Sequence, residues 1–134
     1  MNVRGIAKYK LSSRRIAELR NYTYQYPQWI EGLEEIAELS APVMDGLPRG
    51  TDTSDPVGRL AASRERYARN ITLVDSCLEE CTRDDGLRKA VRIAVTTPRV
   101  TYAWLKSQGM VFYERDAYYL AVRRFYWILD KKKD

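Results

Sequence analysis

The stretch Phe112-Tyr-Glu-Arg-Asp-Ala-Tyr-Tyr-Leu-Ala-Val-Arg-Arg-Phe-Tyr-Trp-Ile-Leu-Asp-Lys-Lys-Lys-Asp134 decides the fold, because it combines an apolar stripe with basic side chains at helical spacing. In a helix of 100° per residue, the apolar members fall within about 60° of Phe125. They are Tyr118, Ala121, Val122, Ile128 and Leu129. Tyr119, Arg123 and Asp130 point away from this stripe. We therefore expect a terminal helix that is buried on one side and presents arginine and tyrosine on another.

A second apolar line in the same stretch consists of Leu120 and Trp127, which lie one heptad apart. Such a line needs a partner of its own, because burial of apolar surface is the main stabilising contribution to folding. We expect it to pack on the N-terminal helices or on another subunit.

A longer helix is predicted upstream, from about Pro56 to Thr82, by a heptad-like repeat with spacings of four and three. The repeat consists of Leu60, Arg64, Tyr67, Ile71, Val74, Leu78 and Cys81. It favours antiparallel packing against the first two helices, and a homodimer through residues 60–81 is the alternative. A charged side chain at Arg64 argues against an extended buried homodimer, since an unpaired charge is costly to bury.

The first part of the chain is predicted to form two helices and a loop. Ser12 and Ser13 are candidate N-caps of the first helix. Pro27 suits the first turn of a second helix that runs to about Leu39. Three prolines and two glycines over 42–56 then predict a loop.

Two short helices are predicted before the terminal one, over 87–95 and 101–108. Trp104 and Leu105 are the expected anchors of the second short helix, and Gly109 is its expected stop. A short helix, a glycine-containing turn and a longer basic helix together have the outline of a helix-turn-helix.

These elements predict an all-α fold, in which a long antiparallel helical arm precedes a C-terminal helix-turn-helix. Residues 1–82 would form the hairpin region and residues 83–134 the helix-turn-helix region. Charge divides the chain at the same point: residues 1–82 hold 11 Lys/Arg against 12 Asp/Glu, and residues 83–134 hold 12 against 6. Such an asymmetry suggests an anionic partner, since neutralising phosphates releases counterions. A solvated tail at Lys131–Lys133 is the alternative.

Catalysis and metal binding are not expected. The chain contains no histidine, and its two cysteines, Cys77 and Cys81, lie four residues apart in a helical segment, as reduced thiols would. Neither a cofactor nor a metal is predicted. No apolar run approaches the length of a membrane span, and the first residues lack the apolar stretch of a secretory signal. We therefore expect a cytoplasmic protein without a membrane partner.

Double-stranded DNA is the predicted partner, bound through the C-terminal region. The first turns of a recognition helix usually meet base edges, which assigns reading roles to Arg115, Tyr119 and Arg123. Later basic positions would contact phosphates. The full predicted DNA-binding set is Arg99, Thr101, Lys106, Arg115, Tyr119, Arg123, Arg124, Tyr126, Lys131 and Lys132.

The order of parts resembles the small phage-encoded transcriptional regulators of the RinA and ArpU type. The likeness covers most of residues 12–132 and rests on the break at Tyr26-Pro27, the loop Gly50-Thr-Asp-Thr-Ser-Asp-Pro56 and the ending Tyr118-Tyr-Leu-Ala-Val-Arg-Arg-Phe-Tyr-Trp-Ile-Leu129. The resemblance implies a non-enzymatic activator of late phage genes with a sigma-factor-like helix-turn-helix, and RNA polymerase as a further partner. The short helix 101–108 and the apolar turn 109–113 depart from that pattern.

Two other functions are consistent with the sequence. One is a protein-interaction module that uses the heptad repeat and the line of Leu120 and Trp127. The other is a DNA-packaging subunit of the small-terminase kind, which also joins a helix-turn-helix to an oligomerising helical region. Light scattering separates the packaging subunit, a ring of many copies, from a monomeric or dimeric activator.

Overall fold

The computed structural model describes residues 6–39, 56–110 and 114–133, and every regular element within these ranges is a helix. The elements are a 3₁₀ turn (Ile6–Tyr9), α1 (Ser13–Thr23), α2 (Tyr26–Leu39), α3 (Pro56–Cys81), α4 (Asp85–Thr96), α5 (Tyr102–Ser107) and α6 (Arg115–Lys132). The predicted all-α fold is confirmed. The predicted loop over 42–56 lies outside the described residues except for Pro56, as do residues 111–113 of the predicted turn.

Side chains cap the starts of three helices, as their residue types predict. Ser12 Oγ accepts a hydrogen bond from Arg15 N at 3.1 Å, which caps α1. Asp84 caps α4 through Leu87 N at 2.9 Å, and Thr101 caps α5 through Trp104 N at 3.1 Å. These bonds satisfy backbone donors that have no partner inside the helix.

The end of α5 is fixed by Gly109, which has a φ of +70°. Its N–H donates to the carbonyl of Lys106, and the next N–H, of Met110, donates to Leu105 at 3.1 Å. Only glycine adopts this backbone region at little cost. The predicted stop at Gly109 is therefore confirmed.

The centre of the core is α6, which packs against α3, α4, α1 and the 3₁₀ turn. Phe125 and Leu129 are fully buried, and one apolar cluster runs from Leu19 to Leu129. Helices from both sides of the predicted division at residue 82 contribute to this cluster. That division therefore does not separate two cores among the described residues.

The second half of the heptad repeat of α3 is buried by other helices of the same chain. Val74, Leu78 and Cys81 are buried where α3 meets α6, while the earlier part of α3 packs on α2. There the backbone of α2 comes so close that a Cβ on Gly32 would lie 2.6 Å from a ring carbon of Tyr67. The buried half of the repeat, from Val74 to Cys81, therefore has no surface left for a homodimer, and a homodimer through residues 60–81 stays a prediction.

A hydrogen-bonded triad connects α2, α3 and α4. The hydroxyl of Tyr26 donates to Asp75 Oδ1 at 2.8 Å, and Arg92 Nη1 donates to both, at 2.6 Å to Tyr26 and 3.0 Å to Asp75. Arg92 also lies over the Tyr26 ring, 5.6 Å from its centroid. The pKa of Tyr26 is raised, because burial disfavours the ionised phenol and because Asp75 accepts a hydrogen bond from the protonated hydroxyl. The triad fixes three helices at one point.

The second apolar line of α6 finds its partner on the N-terminal segment. The ring of Trp127 meets the ring of Tyr9 edge to face, with centroids 5.2 Å apart. The prediction was packing on the N-terminal helices or on another subunit, and the partner of Trp127 is instead the 3₁₀ turn that precedes α1.

One predicted anchor of α5 is wrong. Leu105 is fully buried, but the side chain of Trp104 is 45 % exposed. The reason is the shortness of α5, whose single inward position is occupied by Leu105, while the neighbouring residue faces away. The sequence predicted that both Trp104 and Leu105 are buried, and in the structure only Leu105 is.

This neighbouring pair gives a stability test. Leu105→Ala should lower the free energy of unfolding by about 2–5 kcal/mol, because it leaves a cavity in the core. Trp104→Ala should change it by only about 0.5 kcal/mol, since most surface substitutions do. Urea unfolding followed by circular dichroism measures both. A larger loss for Trp104→Ala than for Leu105→Ala would contradict the placement of α5.

Both cysteines are buried free thiols on α3. Burial raises the pKa of Cys77 and of Cys81 to about 11, from an ordinary value of 9.0, because the thiolate would lose its hydration. The reduced thiols expected from the sequence are confirmed. In this state they act as small apolar groups.

The raised thiol pKa values predict a loss of stability in alkali. Above about pH 9 the unfolded chain releases the two thiol protons, whereas the folded chain keeps them until about pH 11. The folded state then binds more protons, so stability falls as pH rises, by on the order of 2 kcal/mol for each thiol. Urea unfolding between pH 8 and pH 11 measures the slope. The Cys77→Ala/Cys81→Ala variant should have a flatter slope, and an unchanged slope would contradict the assignment.

Candidate nucleic-acid interface

A cleft of about 690 Å³ lies between α1, the turn before α5 and the first turns of α6. We call it the arginine cleft, because four arginines line it: Arg20, Arg99, Arg115 and Arg123. The other residues that line it are Ile16, Tyr24, Ala94, Val100, Thr101, Tyr118, Tyr119, Val122 and Tyr126. Its volume is in the range of sites that hold small ligands.

The charge of the arginine cleft is uncompensated. No aspartate or glutamate is among the described residues that line it, and none of its four arginines forms an ion pair within the described ranges. By contrast, Arg15 on α1 is paired with Asp130 at 2.6 Å. Four like charges around one concave surface repel one another, and an anion would relieve that repulsion. The cleft therefore has the electrostatics of an anion site.

Each wall of the cleft is a stripe along one helix. On α6 the lining residues form two rows with members four residues apart. One row is Arg115, Tyr119 and Arg123, and the other is Tyr118, Val122 and Tyr126. On α1 they are Ile16, Arg20 and Tyr24, each four residues from the next. Since residues at these spacings share a helix face, the cleft follows directly from α1 and α6 lying side by side.

The tyrosines add no negative charge to the cleft. A phenol is protonated at neutral pH, and in the cleft it stays so further into alkali. Burial and neighbouring phenols raise the pKa of Tyr118 to about 12, and burial raises the pKa of Tyr126. Tyr119 is half-buried, and the guanidinium of Arg115 lies over its ring, 5.3 Å from the centroid.

Of the ten predicted DNA-binding residues, six line the arginine cleft. They are Arg99, Thr101, Arg115, Tyr119, Arg123 and Tyr126. Arg99, Thr101 and Arg115 are exposed, and Arg123 is half-buried. Among the predicted set, then, the structure brings together the turn before α5 and the first half of α6.

One of these six needs a correction. Tyr126 was predicted to contact phosphate, but its side chain is 3 % exposed. It lies on the inner side of α6, where burial raises the pKa of its hydroxyl. Tyr126 therefore lines the cleft as part of the core, which is a structural role.

The remaining four predicted residues lie elsewhere. Lys106 is exposed on α5 and does not line the cleft. Arg124 lies in a second cleft with Glu79 and Glu80, where the charges are mixed. Because Arg123 and Arg124 are 100° apart around α6, adjacent residues enter different surfaces.

The lysines at the end of α6 interact with other side chains of the same chain. Lys131 Nζ lies 3.5 Å from the centroid of the Trp127 ring, and Lys132 Nζ pairs with Glu80 at 2.9 Å. This end of α6 is about 25 Å from Arg115, at 1.5 Å per residue. The predicted phosphate contacts of Lys131 and Lys132 therefore belong to a different surface from the arginine cleft.

Sequence reasoning missed Arg20 and Tyr24 as site residues. Their spacing with Ile16 was a usable signal, since it places an arginine and a tyrosine on one stripe of α1. The stripe does not reveal which helix it faces, because that depends on contacts made about 100 residues further along the chain.

Arg99 holds an unusual backbone conformation, with a φ of +68°. It follows Pro98 in a turn, at a position that usually favours glycine. For any other L residue this region costs roughly 1–2 kcal/mol. Strained backbone is most often found at functional sites. The strain at Arg99, on the edge of a positive cleft, therefore indicates that its guanidinium has a function.

Other kinds of site find no support in the part of the chain that is described. No group of three His, Cys, Asp or Glu side chains there is placed to hold a metal ion. None of the described helices combines the length and apolar character that crossing a membrane requires. Comparison of the chain with models of protein families, with curated proteins and with solved structures returned no match.

The conformation of Arg99 predicts an order of stabilities. Arg99→Gly removes both the side chain and the strain, whereas Arg99→Ala removes only the side chain. The glycine variant should therefore be the more stable of the two by about 1 kcal/mol in urea unfolding. At an ordinary helix or turn position the order would be reversed, so a more stable alanine variant would contradict the positive φ.

Proposed function

We propose that this protein binds double-stranded DNA through the arginine cleft and regulates transcription. The observation that carries the proposal is a concave surface with four arginines that, among residues 6–39, 56–110 and 114–133, have no ion-pair partner and no carboxylate in the lining. Arginine is the side chain best suited to phosphate, because its planar fork donates two parallel hydrogen bonds. The regulatory role, and the contact with RNA polymerase, come from the sequence resemblance and stay predictions.

The way in which α6 is buried limits how it can meet DNA. Its core-facing side is enclosed by other helices along most of its length, from Tyr118 and Ala121 to Phe125 and Leu129, so only its outer side can meet DNA. At the very start of α6, Glu114 and Asp116 are exposed, and their charges would be repelled by phosphate. We therefore expect the backbone of the duplex to run along the arginine cleft at the side of α6, rather than the whole helix to lie in the major groove.

The packaging alternative stays a prediction. It needs a helical region free to assemble with other copies, and the half of the heptad repeat from Val74 to Cys81 is buried inside the chain. No described feature specifically favours a ring of subunits over a DNA-binding monomer.

A neighbouring pair of arginines gives the sharpest test. Arg123→Ala removes a cation from the arginine cleft, while Arg124→Ala removes the same charge one residue away, from the mixed-charge cleft. In fluorescence anisotropy against duplex DNA at several salt concentrations, the first variant should bind more weakly and reduce the salt slope by about one. The second should bind nearly as the wild type does.

The fold of both variants is checked by thermal melting. Equal losses for Arg123→Ala and Arg124→Ala would mean that net charge, and not the cleft, determines binding. No binding of the wild-type protein to any duplex at low salt would reject the proposed function.

A further inference from the structure

The arginine cleft is small beside a duplex. Its volume of about 690 Å³ is in the range of sites that hold small ligands. A duplex following the cleft therefore meets only its edges. The interior, with its aromatic walls, remains for something smaller.

The interior offers stacking surfaces as well as cations. Tyr119 on α6 and Tyr24 at the end of α1 line the cleft from two different helices. The Tyr119 ring is supported by Tyr118 at 5.2 Å and by Tyr102 at 6.4 Å between centroids. A ring held by other rings loses little freedom when a ligand stacks on it. Inorganic phosphate would use the arginines and leave these walls without a role.

We infer that the interior of the arginine cleft accommodates one unpaired nucleotide, with its base against Tyr119 and its phosphates on the surrounding arginines. Every base has a face that can stack on an aromatic ring, and arginines beside such rings hold the backbone. The inference rests on the proposed DNA binding and extends it: the protein prefers DNA in which a base is already out of the stack. Such a base spares the protein the cost of unpairing one.

The polar groups of the cleft fit a base better than a purely apolar ligand. Three phenols line the cleft together, those of Tyr24, Tyr118 and Tyr126. Protonated phenols donate and accept hydrogen bonds, as base edges require. Thr101, the cap residue of α5, lies at the margin of the same cleft.

Three DNA probes test the inference: a perfect duplex, the same duplex with one extra unpaired nucleotide, and the same bulge without its base. The wild-type protein should bind the bulged duplex about tenfold more tightly than the perfect one, since stacking of one base on an aromatic side chain has effects of this size. The abasic bulge should lose this preference, which separates stacking from the added flexibility of a bulge.

Two substitutions of one residue locate the base. Tyr119→Leu should reduce the ratio of bulged to perfect affinity to about one, while Tyr119→Phe should keep it, because the ring and not the hydroxyl stacks. Thermal melting confirms that both variants fold. A preference that survives in Tyr119→Leu, or that persists for the abasic bulge, would overturn the inference.

The failure of this inference is distinct from failure of the proposed function. Equal binding of perfect and bulged duplexes by the wild-type protein, with the Arg123→Ala defect intact, rejects the unpaired nucleotide and leaves duplex binding in place. Absence of binding to all three probes at low salt rejects both.

Discussion

Burial of α6 is the constraint on which the other elements depend. Phe125 and Leu129 are enclosed by four surrounding segments, so α1, α3, α4 and the 3₁₀ turn are all positioned relative to one helix. Because the core is closely packed, these segments cannot shift by small amounts relative to α6 without clashes or voids. The same helix carries Arg115 and Tyr119 into the arginine cleft, while Ala121 beside them stays in the core. The anchor and the candidate interface are therefore two sides of a single rigid element.

The candidate interface is built at a cost to folding. Four guanidinium groups without lining carboxylates repel each other, and one of them, Arg99, holds a left-handed backbone conformation. By contrast, ion pairs join Arg15 to Asp130, Arg88 to Asp85 and Arg92 to Asp75. Unfavourable features that concentrate at one place, within a fold that is otherwise satisfied, are typical of surfaces kept for binding.

Periodicity predicted the helices because it depends only on local geometry. The apolar stripe around Phe125, the stop at Gly109 and the cap at Asp84 follow from spacing and residue type. All three are found in the structure. Trp104 and Tyr126 were misplaced because burial in a short or enclosed helix is decided by neighbours from distant parts of the chain. The arginine stripe of α6 was visible in the sequence, but its partner on α1, Arg20, was not, since no local pattern specifies which helices meet.

The distance in sequence between the two walls of the cleft has a consequence for synthesis. Arg20 leaves the ribosome long before Arg123, so a nascent chain carries one wall without the other until its last helix has emerged. Contacts between such remote segments form late in folding. An incomplete translation product therefore exposes isolated cations but no cleft, and only a polypeptide that extends through α6 has both walls of the cleft.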